Sequence, residues 1–183
     1  LGGLAQTQTA VDLAKKLKSR DSADRIRAAN ELGKLGTNAA PAVSALVQAL
    51  GDETPEARNA AADALGKVGK AAVAPVGKAL ADRDRQIAAA RAIAGLGPLA
   101  VEYTPAVIKL LRIDSLDSAD AAKKALSAIG EPAMPHVIKA LEDNAINMQL
   151  CEAIIPMGAA ATPAVPMLLD LLTRRGVRAP EGA

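Results

Sequence analysis

The chain has 183 residues, half of them apolar and 23% charged, with 14 Gly and 11 Pro; this suits a packed chain and excludes collagen-like or disordered composition. Its 22 basic and 20 acidic residues leave a net charge of +2, too slight to hold a polyanion over the whole surface, so nucleic acid is not an expected partner. One His and one Cys exclude disulfides and most zinc or His-rich centres, and with no Phe, no Trp and one Tyr the core is expected to be aliphatic and helical.

The chain opens Leu1-Gly2-Gly3-Leu4-Ala5 without an initiator Met or a basic leader, and it is expected to be a trimmed or excised piece with no intact signal peptide. From there the elements repeat. Leu17, Leu50, Leu80, Leu111, Leu141 and Leu172 each close an apolar-periodic segment, at intervals of 33, 30, 31, 30 and 31 residues. Gly36, Gly69, Gly97, Gly130 and Gly158 follow a second periodic segment in each unit. A spacing this regular marks tandem two-helix units. The predicted elements are five helix pairs at about 5–36, 41–69, 72–97, 104–130 and 134–158, then an unpaired helix at about 163–175, in a single domain over 1–183.

The first helix of each unit carries an apolar stripe at helical spacing, such as Val43, Leu46, Val47 and Leu50, or Met134, Val137, Ile138 and Leu141. Pro41, Pro75, Pro105, Pro135 and Pro163 fall near the openings of these helices, where a missing N–H costs little, and Thr104 and Thr162 are expected as caps. Pro166 puts the start of the last helix a few residues beyond Pro163. The second helices carry Ala28-Ala29, Ala61-Ala62 and Ala89-Ala90, small faces that let helices approach. The glycine closing each unit suits a left-handed helix end, and Gly33, Gly66 and Gly95 read as part of the same punctuation. Links such as Gly51-Asp52-Glu53-Thr54 and Asp82-Arg83-Asp84 leave room only for antiparallel hairpins. The longest uncharged stretch, Ala153 to Leu169, is interrupted by Pro156, Gly158, Pro163 and Pro166, so no membrane span is expected.

The run Arg58-Asn59-Ala60-Ala61-Ala62-Asp63-Ala64-Leu65-Gly66-Lys67-Val68-Gly69 closely resembles the second helix of the HEAT-repeat family, above all its short HEAT-like repeats of the phycobilisome-lyase type. The resemblance extends over nearly the whole chain. It implies an all-α fold, an α-α superhelix in which antiparallel helix pairs stack into a right-handed solenoid. In that family the Arg of this motif bonds an Asp in the preceding turn, which implies pairs of Arg25 with Asp21 and of Arg58 with Asp52. Gln86, Ala119 and Asn147 hold the equivalent positions in later units, so the implied ladder stops after the second.

Catalytic groups are scarce. His136 is the only imidazole and, in the opening turn of a first helix, is expected to face solvent. Cys151 replaces the second Ala of the Ala-Ala pair and is expected between helices, while Met134, Met157 and Met167 fill the core and Met148 lies on an exposed face. No catalytic, cofactor-binding or metal-ligating residue is assigned, and neither cofactor nor metal is expected. The positions of the second helices that point away from the core are Arg27, Asn30 and Lys34; Asn59, Asp63 and Lys67; Ala88 and Arg91; Asp120 and Lys124; and Gln149 and Glu152. In a solenoid of this kind they form a stripe on the concave face. Residues 1–97 hold 14 basic and 10 acidic side chains and residues 98–183 hold 8 and 10, so the charge changes sign along the chain.

Tyr103, in the longest link between units, is a candidate either for a partner contact or for packing on the adjacent helix. The apolar final helix, Met167 to Leu172, implies self-association or further chain at the C-terminal half repeat. The functional expectation is a non-enzymatic scaffold that binds a protein or peptide along the concave face, with no nucleic-acid or membrane partner. The alternatives are a bilin-lyase-like enzyme or enzyme subunit, and one scaffolding arm of a larger multidomain protein.

Overall fold

The two alternating apolar stripes fold as two alternating rows of helices. The computed structural model describes residues 2–113, 115–142 and 147–176. In it α1 (Gly2–Lys16) pairs with α2 (Ser22–Leu35), α3 (Val43–Ala49) with α4 (Pro55–Val68), α5 (Lys70–Ala79) with α6 (Gln86–Leu96), α7 (Thr104–Leu110) with α8 (Leu116–Ile129), and α9 (Met134–Leu141) with α10 (Asn147–Ile154); α11 (Val165–Gly176) follows alone. Short 3-10 segments at Gly36–Ala42, Gly97–Tyr103, Glu131–Ala133 and Ile155–Ala164 lead from one pair to the next. The fold is an all-α helical-repeat solenoid with one aliphatic core running from unit to unit. Leu17, Leu50, Leu80, Leu111 and Leu141 are all buried in it; the side chains of Leu172 and Met148 lie outside the described residues.

Glycine closes each pair for a stricter reason than a left-handed cap. Gly36, Gly69, Gly97, Gly130 and Gly158 have φ between +54° and +75°, but ψ is −127° at Gly36 and −137° at Gly69, far from the left-handed helix. This mirror-extended conformation is open to glycine almost alone. The threonines also differ from expectation. Thr104 and Thr162 do not cap; their hydroxyls donate back to the carbonyls of Val101 and Ala159, each at 2.7 Å. Among the described residues, side-chain caps are supplied by Asp21, accepting from the Ala23 N–H at 2.9 Å, and Ser115, accepting from the Ser118 N–H. Pro75 lies inside α5 rather than at its opening, because that helix starts directly after Gly69. Its ring removes the bond that the Ala71 carbonyl would accept, and Ala71 is exposed.

The two rows are packed unequally. The second helices touch along their lengths, α2 on α4, α4 on α6, α6 on α8 and α8 on α10. Their contact surfaces are Ala28, Ala29, Ala61, Ala62, Ala89, Ala90, Ala121 and Ala122, all buried. At the tightest point a Cβ on Gly66 would stand 2.7 Å from the Gly95 Cα, so neither position accepts a larger residue without moving a helix. These two glycines are interhelical contacts and not turn punctuation. The first helices touch over shorter stretches, and the 3-10 segment Gly97–Tyr103, which runs directly into α7, packs on α5, α6 and α8. Tyr103 resolves in the same way: its ring fills the place of a Cβ on Gly77 in α5, so it packs on the adjacent helix. Burial raises its phenol above the ordinary value of 10.0. The second helices thus form the more closely packed row.

Gln149–Asp170 is apolar and long enough to cross a bilayer by length and composition. Gly158, at φ +55°, breaks it into α10, a 3-10 segment and α11.

The core predicts its own sensitivity. Leu80→Ala and Leu111→Ala should each cost ~2–5 kcal/mol in urea unfolding, because both side chains are buried between units. Lys67→Ala, on the exposed face, should change stability by less than about 0.5 kcal/mol; equal effects from all three would contradict this register.

Candidate binding surface on the second helices

Helical spacing sends one stripe of each second helix into the core and leaves the opposite stripe in solvent. Arg27, Asn30 and Lys34 on α2, Asn59, Asp63 and Lys67 on α4, Arg91 on α6, Asp120 and Lys124 on α8, and Gln149 and Glu152 on α10 are all exposed. The structure thus brings these side chains to one face. Ala88 is the exception: it is buried, as are Ala60 and Ala121 at the equivalent positions of α4 and α8, nine residues before each closing glycine.

Electrostatics divide the face. Arg27 pairs with Asp24 at 3.1 Å and Lys34 with Glu31 at 2.6 Å, each within α2. Arg91 donates to the Asn59 side-chain carbonyl at 3.0 Å, linking α6 to α4. Lys123, which the sequence reading passed over, is half-buried and pairs with Glu152 at 3.1 Å, linking α8 to α10. Its signal is the Lys123-Lys124 doublet, of which only one member can point fully outward on a helix.

Among the described residues, two grooves cross this face. One, of about 610 Å³, lies at the N-terminal ends of α4, α6 and α8 and is lined by Asp52, Glu53, Arg58, Asn59, Arg83, Asp84, Arg91 and Asp117 among others; its charges nearly balance. The other, of about 540 Å³, lies across the middle of the same helices. Asp63, Gly66, Lys67, Arg91, Ala94, Gly95 and Lys124 line it. Four of the exposed stripe residues therefore meet in one groove, over the point where α4 and α6 come closest. A third, apolar groove of about 350 Å³ near the C-terminal end is lined by Cys151, Ile154, Ile155, Val165 and Leu168. Cys151 and His136 are both partly buried. Among the described residues no group of three His, Cys, Asp or Glu side chains is placed to hold a metal ion.

Beside the first groove the Arg–Asp ladder takes a different form from the one the resemblance implied. Arg25 does not pair with Asp21, whose carboxylate is engaged in capping α2. It reaches into the next unit and donates to both Asp52 oxygens, at 2.7 and 2.8 Å, and also to Glu53, Thr54 and the Ser19 carbonyl. Arg58 reaches Asp52 too, but at its main-chain carbonyl, at 2.6 Å. The bidentate pair is a cross-unit clamp, with Arg25 and Asp52 side chains less than a tenth exposed. Hydrogen bonds from Arg25, and to a lesser degree the Thr54 N–H, hold the Asp52 carboxyl below its ordinary value of 3.8, against the opposing effect of burial.

Stacked antiparallel pairs around a continuous core define a helical-repeat solenoid. Within that class, residues 10–97 match the model of the HEAT repeats. Among solved structures, the complex of CpcE and CpcF of phycocyanin lyase from Nostoc sp. PCC7120 is similar, with 28% identity, a TM-score of 0.52 and coverage of 88% of this chain and 69% of that one. An engineered protein shares the fold at 19% identity and a TM-score of 0.51, over 88% of this chain and 86% of its own. No curated protein sequence matches the chain.

Because the Asp52 carboxyl is depressed in the folded state, its stabilisation is complete above the ordinary aspartate value of 3.8 and is lost as pH falls toward the folded value. Asp52→Asn should lower the melting temperature by several degrees at neutral pH, and its gap to wild type should narrow below about pH 4. A gap that stays constant on acidification would contradict the clamp.

Proposed function

We propose that this HEAT-repeat protein is a non-enzymatic scaffold that binds a protein or peptide along the face of its second helices. The observation that carries the proposal is the convergence of Asp63, Lys67, Arg91 and Lys124 on one open groove, on the more closely packed row of helices. An extended segment lying across several second helices would meet a side chain from each. The likeness to a CpcE–CpcF complex, a structure in which such repeats associate with a second protein, supports protein binding as the use of the surface.

The same likeness favours one other reading, an enzyme subunit acting on a pigment, since that complex is a phycocyanin lyase. A bilin titration separates the two. A saturable absorbance change would favour the lyase reading, and an unchanged spectrum would favour the scaffold.

Simultaneous change of Arg27, Lys34, Lys67 and Arg91 to Glu should abolish retention of native protein partners on the immobilised chain while leaving its helical circular dichroism in place. All four side chains are exposed, so unfolding is not the expected cause of loss. Undiminished retention by the folded variant would refute the proposed face.

A further inference from the structure

We infer that the groove across α4, α6 and α8 takes an acidic peptide segment in extended conformation, with the Gly66–Gly95 contact as its floor. The inference deepens the scaffold reading and rests on it, since it assigns the chemistry of the partner to one part of the proposed face.

Three observations bear on it. The first is charge. Lys67, Arg91 and Lys124 face a single carboxylate, Asp63, in this groove, in contrast to the mixed charges of the neighbouring groove. Nor are these cations already neutralised. Among the described residues Lys67 and Lys124 make no ion pair, and Arg91 is held by the neutral Asn59 side chain, whereas Arg27 and Lys34 are each paired within α2. The second is shape. Gly66 and Gly95 meet with no room for a Cβ, so the floor is bare helix backbone and a chain can lie close to it while the longer cationic side chains rise beside it. The third is length. Three helices spaced by about 8–10 Å span about 20 Å, which an extended chain rising about 3.3 Å per residue crosses in about six residues. Asp63, one turn before Lys67 on α4, repels a carboxylate placed directly above it and confines the acidic residues to the triangle of Lys67, Arg91 and Lys124. The lining has no aromatic side chain on which bases could stack, which favours a peptide over a single-stranded nucleic acid.

Fluorescence anisotropy with a labelled hexaglutamate peptide tests this, with hexalysine and a Gly-Ser hexamer as comparison probes. Hexaglutamate should bind saturably and in preference to both, and the binding should weaken as salt rises. The double variant Lys67→Gln with Lys124→Gln should lose about tenfold or more in affinity, while Arg27→Gln with Lys34→Gln should change it by less than about twofold. Unchanged thermal unfolding of both variants keeps the comparison valid. No binding of hexaglutamate, equal binding of hexalysine, or equal losses in both double variants would overturn the inference. If native partners are still lost on fourfold charge reversal while hexaglutamate fails to bind, the acidic-segment assignment falls and the scaffold reading stands; if those partners are retained, the scaffold reading itself falls.

Discussion

The close approach of the second helices is the constraint on which the rest of the structure depends. Where Gly66 meets Gly95, the two backbones are near enough that a single Cβ would collide, and buried alanines extend this close packing toward both ends of the row. The other row is in contact over shorter stretches, and the Tyr103 ring, at the end of the 3-10 segment that runs into α7, sits against Gly77 of α5. On the tight row the solvent stripe of the second helices is a band of exposed polar side chains.

Stability in such a stack comes from neighbours. Each pair of short helices buries one face against the unit before it and the other against the unit after it, and the aliphatic core is correspondingly continuous. The Arg25–Asp52 clamp performs the same task in polar form at the first junction, with a guanidinium from one unit satisfied by the turn of the next. Toward the C-terminal end of the described residues Ile155, Val165 and Leu169 are 75%, 45% and 56% exposed.

Most of the fold is legible in the sequence because a tandem repeat states each rule several times. The leucine ladder marked the buried seam and the Ala pairs marked the tight row, and the outward stripe followed from helical spacing. What was not legible depends on contacts between units. Nothing in the local sequence distinguishes Gly66, a packing contact, from Gly69, a chain reversal, since both follow the same apolar run. Arg25 lies four residues from Asp21 and far from Asp52 in sequence, yet the capping demand of α2 occupies the nearer carboxylate. Pro75 looks like a helix opening until Gly69 is seen to let α5 begin at once. At the candidate surface the exposed residues could be read singly, but their convergence over a glycine floor requires the three-dimensional stack.

The unequal spacing of the two rows is tested most directly by pulsed electron resonance between pairs of spin labels two units apart, in a Cys151→Ala background. Asp63 and Lys124 occupy equivalent places on α4 and α8, and Lys78 and Lys139 equivalent places on α5 and α9; all four are exposed. A second row on the inside of the curve, as the proposed binding face requires, predicts a clearly shorter distance for labels at 63 and 124 than for labels at 78 and 139. Equal distances, or a shorter one on the first helices, would contradict an inward-facing second row and remove the basis for a concave binding surface.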